Sequence, residues 1–210
     1  MIPLFPLNVV VCPNESLSLH IFEERYKEMI TLCIQESRPF GVILVHDSSL
    51  KNIGCTVGIA EVNKVYSDGR MDIKTVGIQR FNIVSIDRRK SFLQASVSYF
   101  EDESPDADPA LKSKVIALHK ELLTVAKAAI DESVYAHPQS SFIISHSAGL
   151  ELLDKQLLLE MRSENERLKF LEIHFHEVIA KIKHYEELKN LIHSNGHFKK
   201  FPPTDINLLG

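Results

Sequence analysis

The hydrophobic pattern of this 210-residue chain changes period near its midpoint, and that change limits what the chain can fold into. Up to about residue 100, apolar residues come in short runs rich in β-branched and aromatic side chains. Such runs suit strands, whereas recurrence every three or four positions suits helices. Strands are expected over residues 9–11, 16–21, 40–45, 56–66, 71–86 and 92–99. Ser67-Asp68-Gly69-Arg70 reads as the turn of a hairpin between two of them. Gly77 interrupts the longest run, as a bulge or strong bend would. One helix breaks the series, from Glu23 to about Glu36, with Tyr26, Met29, Ile30 and Cys33 on one face. Leu4 and Phe5 sit between Pro3 and Pro6, which makes the first residues a poor helix. About six strands and one helix in this space suggest a small barrel, closed or nearly closed.

Residues 101–109 are acidic, contain Pro105 and Pro109 and show no apolar pattern, so they read as a linker. Beyond them the chain is helical. Asp108 suits an N-cap and Pro109 the first helical position. Leu111, Val115, Leu118, Leu122 and Val125 follow at alternating spacings of four and three. His137-Pro138 marks a break. Shorter helical pieces are expected over 140–147 and 151–160, and Ser163 with Glu166 forms a capping-box pattern. Leu168, Leu171, Phe175, Val178, Ile182 and Tyr185 then mark one face of a long helix reaching about His193. Such a stripe is most simply the core face of a bundle helix, with a coiled-coil seam as the minority reading. Residues 196–210 contain Pro202-Pro203 and are expected to be extended. The expected class is α+β: a barrel-like subdomain over 1–104, a helical bundle over 105–195 and a tail over 196–210.

Several chemistries lack their residues. No GxxxxGK[ST] loop is present, so ATP hydrolysis is not expected. Gly54-Cys55-Thr56-Val57-Gly58 lacks the rest of a dinucleotide fingerprint. His176-Glu177 opens an HExxH pattern, but Ala180 stands where the second histidine is needed; no metal site is expected. There is no GxSxG; Ser140, Ser141 and Ser145 lie near His137 and His146, but a nucleophile also needs an oriented base. Cys12, Cys33 and Cys55 are odd in number and form no CxxC, which suits reduced thiols in a cytoplasmic protein. No apolar run approaches the ~20 residues of a membrane span, and the first residues lack the basic region of a signal peptide. The formal net charge is −4, so nucleic acid is not an expected partner. A basic patch of Lys64, Arg70, Lys74, Arg80, Arg88, Arg89 and Lys90 is the one feature favouring an RNA-binding barrel instead.

A family resemblance rests on motifs in order along the chain. Ile2-Pro3-Leu4-Phe5-Pro6-Leu7 is followed by Val9-Val10-Val11-Cys12-Pro13 and by Leu17-Ser18-Leu19-His20-Ile21-Phe22-Glu23-Glu24-Arg25-Tyr26. Then come Arg38-Pro39-Phe40-Gly41-Val42, Gly54 to Gly58 with Ala60, Asp68-Gly69-Arg70, and Gly77 with Arg80-Phe81. Downstream lie Leu150-Glu151-Leu152, Lys155-Gln156, Leu158-Leu159-Glu160 and Arg167-Leu168. The set resembles the N-terminal, substrate-recognition domain of ATP-dependent Lon proteases over most of residues 2–180. The resemblance implies a six-stranded pseudo-barrel of PUA-like type with one helix, then a helical bundle. It implies a non-catalytic recognition module, here stand-alone, that holds unfolded or degron-bearing protein and needs no cofactor. Adaptor docking on a AAA+ protease is the variant of that reading. The surface it suggests for peptide is apolar: Pro6, Leu7, Phe22, Pro39 and Phe40. Glu23, Arg25, Tyr26, Gly69, Arg80 and Phe81 are expected as structural motif residues. A Glu23–Arg80 ion pair is expected to fix the helix on the barrel.

Overall fold

The computed structural model describes residues 1–195, with side chains through Lys189. The expectations for 196–210 lie outside the described residues. The elements run β1 (Ile2–Leu7), β2 (Ser16–Ile21), α1 (Glu24–Gln35), β3 (Phe40–His46), β4 (Ser49–Val65), β5 (Met71–Asp87), β6 (Gln94–Tyr99), α2 (Pro109–Val125), a 3-10 turn (Glu132–Tyr135), α3 (Ser140–His146), α4 (Leu152–Glu160) and α5 (Glu164–Asn195). The α+β class and the strand-then-helix order are those expected.

The strands form one six-stranded sheet in the order β2-β5-β4-β3-β1-β6, and β6 also pairs with β5. Hydrogen bonding therefore runs in a ring through β5, β4, β3, β1 and β6. β2 lies outside that ring, paired antiparallel with residues 71–76 of β5. β1 and β3 pair in parallel, from Leu4 with Gly41 to Leu7 with Leu44. The 17-residue strands β4 and β5 form the long hairpin around which the ring is built. At its tip Gly69 adopts φ +81°, a conformation a side chain would strain.

Three segments differ from expectation, the first being β4, which begins at Ser49 and not at 56. β1 is a strand although it contains Pro3 and Pro6. Proline is tolerated where its missing N–H is not needed by a ladder. Val10 and Val11, expected in a strand, are buried at 4% and 2% exposure outside any strand. Their apolar bulk goes into the core, while the chain turns at Pro13 and Asn14 and docks on Gly77. The Gly77 N–H donates to the Glu15 carbonyl at 2.8 Å, and the Asn14 N–H to the Gly77 carbonyl at 2.9 Å. A Cβ at Gly77 would lie 2.1 Å from the Cys12 carbonyl oxygen, so the approach requires glycine. The β4–β5 register also slips here, between Cys55/Arg80 and Val57/Gly77, as the bend expected at Gly77 demands.

In the helical half, the Asp108 carboxylate accepts from the N–H groups of Ala110 and Leu111, capping α2 as expected. α2 and α5 run parallel. Asp108 meets Asn165, Lys114 meets Glu172 and Glu121 meets Lys183, so both numbers rise together. Leu168, Leu171 and Phe175 of the stripe are fully buried, but Tyr185 is 68% exposed. α2 ends at Val125, and a straight helix drifts about 20° per heptad from a seven-residue repeat. One continuous core runs from Phe5, Met29 and Phe40 to Phe142, Leu158, Leu168 and Phe175.

Candidate functional site

β1 and β2 leave a gap between them, and the start of α1 closes its end. The result is a cleft of about 280 Å³ lined by Phe5, Pro6 and Leu7 of β1, residues 19–22 and the first turn of α1. Its floor is aromatic: Phe5 and Tyr26 are buried, with ring centroids 4.1 Å apart. Pro6, Leu7 and Leu19 form half-buried walls. Phe22 stands 61% exposed at the lip and stacks on His20 at 6.1 Å. His20 is itself held: its Nδ1 lies 2.5 Å from Asp72, whose other carboxylate oxygen accepts from the Tyr66 hydroxyl at 2.7 Å. The rim charges compensate each other, Arg25 pairing with Glu23 at 2.7 Å while its guanidinium lies over Tyr26. The cleft is thus apolar, near neutral at its rim and backed by rigid side chains, the character of a site for uncharged segments.

The barrel is fastened to the helices by buried charge. The Asp102 side chain, itself fully buried, accepts from Arg80 and, at 2.8 and 2.5 Å, from Arg167. Arg80 also donates to the carbonyls of Leu159 and Met161 at 3.0 and 2.5 Å. Arg167 also donates to Glu164 at 2.7 Å, and Glu164 in turn accepts from the N–H and hydroxyl of Ser141. Burial alone pushes the Asp102 carboxyl up, but Arg167 and Arg80 outweigh it and hold the group below its usual range. A second tie centres on Glu15, which accepts from the Cys12 N–H at 2.9 Å and from Lys155 of α4 at 2.5 Å, with His146 of α3 at 2.8 Å.

A family model described as the ATP-dependent protease La (Lon) substrate-binding domain matches residues 1–177. The chain belongs to that family. Among solved structures, a Lon N-terminal domain protein from Xanthomonas campestris is similar at a TM-score of 0.65 and 26% identity, over 81% of this chain and 95% of that one. The N-terminal domain of a Mycobacterium avium complex Lon protease shares the fold at a TM-score of 0.63 and 16% identity, over 83% of this chain and 97% of that one. The Lon-type motifs seen in the sequence therefore mark a Lon-type domain.

Within this Lon domain the expected surface residues separate. Pro6, Leu7 and Phe22 come together in the β1/β2 cleft. Pro39 lines a different cleft, of about 390 Å³, with Ile34, Ile59, Val62 and Ile78. Phe40 is fully buried 6.1 Å from Phe5, so it supports the floor and offers nothing to a ligand. The expected Glu23–Arg80 pair does not form. Glu23 faces Arg25 at the cleft, whereas Arg80 is buried between Asp102 of the segment after β6 and the Leu159 and Met161 carbonyls at the end of α4. Phe81 is fully buried beneath Gly41 and Gly54. Of the acidic segment expected as a linker, Asp102 is core; the signal overlooked was Arg167, a charge beside an apolar stripe. Leu19 and His20 were likewise missed as cleft residues, and Asp72 as the group that holds His20, though the strand alternation over 16–21 places Leu19 and Ile21 on one face.

The serines near the histidines hold structure. Ser141 serves Glu164 and Arg167, and Ser145 donates to the Phe142 carbonyl at 2.7 Å. Ser147 does lie 2.9 Å from His119 Nε2, but the other ring nitrogen faces Tyr135 and not a carboxylate. Burial lowers the His119 pKa to about 4, and its ring stacks on Phe175 within the core. No group of three metal-ligating side chains occurs among the described residues. In the basic patch Arg80 is buried, and Arg70 and Arg89 are paired with Asp68 and Asp87, which takes three of the seven expected cations out of it.

Proposed function

We propose that this domain recognises protein substrates by holding unfolded or degron-bearing segments in the β1/β2 cleft. The observation that carries the reading is the grouping of exposed Phe22 with Pro6, Leu7 and Leu19 over a buried Phe5–Tyr26 floor. An apolar cleft with self-paired rim charges favours segments that a folded protein would bury. Membership of the Lon substrate-binding family supports the same reading. The reading asks for no nucleotide and no cofactor. Among the described residues no helix is long and apolar enough to cross a membrane.

The test is fluorescence anisotropy with a labelled, reduced and carboxymethylated protein as permanently unfolded ligand. Binding is expected without nucleotide, and Leu7→Asp and Phe22→Asp should each weaken it by about tenfold or more, a loss of about 1.4 kcal/mol. Circular dichroism should show both variants folded, since neither side chain is fully buried. Absence of binding by the parent chain at high micromolar concentration sinks the proposal, as does binding by both variants as tight as the parent's.

A further inference from the structure

We infer that β2 is a template for strand addition: a neutral, extended peptide joins its free edge as a further strand, its alternate side chains entering the cleft. The inference rests on the proposed recognition function and specifies how the segment is held.

β2 stands at the end of the strand order, outside the closed ring, and pairs only with β5. Among the described residues, no backbone–backbone hydrogen bond of Ser16–Ile21 other than that pairing is found, and the one side-chain bond to its backbone, from the Thr75 hydroxyl to the Leu17 carbonyl at 3.0 Å, comes from β5 as well. In an antiparallel pair alternate residues turn both N–H and C=O away from the partner. β2 therefore offers a row of unpaired donors and acceptors along its outer edge.

The edge also lacks the devices that usually stop strand addition. Proteins blunt exposed edges with lysine, proline, bulges or inward charges. Ser16-Leu17-Ser18-Leu19-His20-Ile21 contains no lysine, proline or carboxylate. The β3–β4, β4–β5 and β5–β6 ladders each contain a register shift, whereas β2–β5 runs six pairs without one. A straight, unbroken strand is the form a new strand can follow.

The pleat then states what the added strand must look like. Ser16, Ser18 and His20 are exposed, Leu17 and Leu19 half-buried and Ile21 buried, so the two faces of β2 differ. Because side chains alternate across a sheet, an added strand would turn every second residue the same way as Leu19 and Ile21. That direction leads to Leu7, Pro6 and the Phe5–Tyr26 floor, since Leu19 and Ile21 line the same cleft as those residues. Its other residues would lie beside Ser18 and His20, facing water. The occupant is thus an extended segment alternating apolar and small polar residues, held largely by its backbone. Such a segment is buried in folded proteins and available in unfolded ones, and backbone recognition tolerates many sequences.

The experiment uses the full chain and a synthetic peptide of roughly eight residues, matched to strand length, alternating valine with serine or threonine. Two further versions carry N-methyl groups on alternate residues, one on the valines and one on the polar set. N-methylation removes donors and keeps side chains. The parent peptide should bind, one methylated version should lose about tenfold or more in affinity, and the other should bind much like the parent. By NMR, peptide should slow exchange of alternate amides within Ser16–Ile21. Equal affinity of all three peptides overturns strand addition. So does unchanged exchange of the β2 amides, or no peptide binding by a chain that holds the unfolded protein through Leu7 and Phe22. In each of those cases the recognition function itself stands. If the unfolded protein is not held either, both fail.

Discussion

His119 shows how one side chain couples the fold to pH. Its ring is 1% exposed, lies between Tyr135 and Ser147 and stacks on Phe175. Burial holds its pKa near 4, below the 6.5 of a free imidazole. The unfolded chain therefore binds the proton more readily, and the stabilisation is complete above pH 6.5 and lost as pH falls toward 4. Protonation linkage sets its size at up to about 3 kcal/mol. Urea denaturation from pH 7 to pH 4 should show the parent losing more stability than His119→Gln, which keeps hydrogen-bonding groups but cannot titrate. Parallel curves for the two would refute the assignment. The cysteines give a second prediction at this scale. Burial, reinforced by Glu15, pushes the Cys12 thiol up to about 12, and burial also raises Cys33 and Cys55. None should react with iodoacetamide at pH 8 until the chain unfolds; mass spectrometry of the native protein should show no adduct. Three unpaired thiols were legible in the sequence, but their protection was not, because it depends on which residues enclose them.

At the scale of elements, legibility followed periodicity. The β4–β5 hairpin, α1, α2 and α5 repeat their pattern long enough for the period to be unmistakable. β1 was hidden by its two prolines, and its strand state comes from β3 lying alongside, with partners such as Leu4 and Gly41 far apart in sequence. Residues 9–11 erred in the opposite direction: three β-branched residues met a need for burial, not for a ladder. The α5 stripe was continuous in sequence but is not uniformly buried, since only a neighbouring helix makes a stripe into core. The two ends of that stripe should therefore differ. Phe175→Ala removes a fully buried ring and should cost about 3–5 kcal/mol. Tyr185→Ala alters an exposed one and should stay within about 0.5 kcal/mol. Chemical denaturation of the two variants checks the contrast; a large loss for Tyr185→Ala would mean that the far half of α5 is covered in solution.

For the whole molecule, the question is whether strands and helices unfold together. The sequence suggested two parts with an acidic connection, and the resemblance was specific for the fold but not for the cleft. Cleft residues come from β1, β2 and α1, and only the tertiary structure shows that Pro39 and Phe40 leave that group. The connection itself is where the parts join: Asp102 faces Arg80 from β5 and Arg167 from α5 in one buried cluster. Removing one member leaves unpaired charge in the interior, which generally costs about 3–5 kcal/mol. Asp102→Ala strands the Arg80 guanidinium and leaves Arg167 with Glu164 alone, and should reach that range. Glu103→Ala breaks only the exposed pair with Arg162 and should have almost no effect. Because the apolar core is continuous across both halves, the parent should unfold in one step. Hydrogen exchange followed by mass spectrometry can show this, with amides of β4–β5 and of α2–α5 losing protection at the same urea concentration. In Asp102→Ala both sets should shift downward together. If the helical amides open while the hairpin stays protected, the buried cluster does not couple the halves, and each is stable on its own packing.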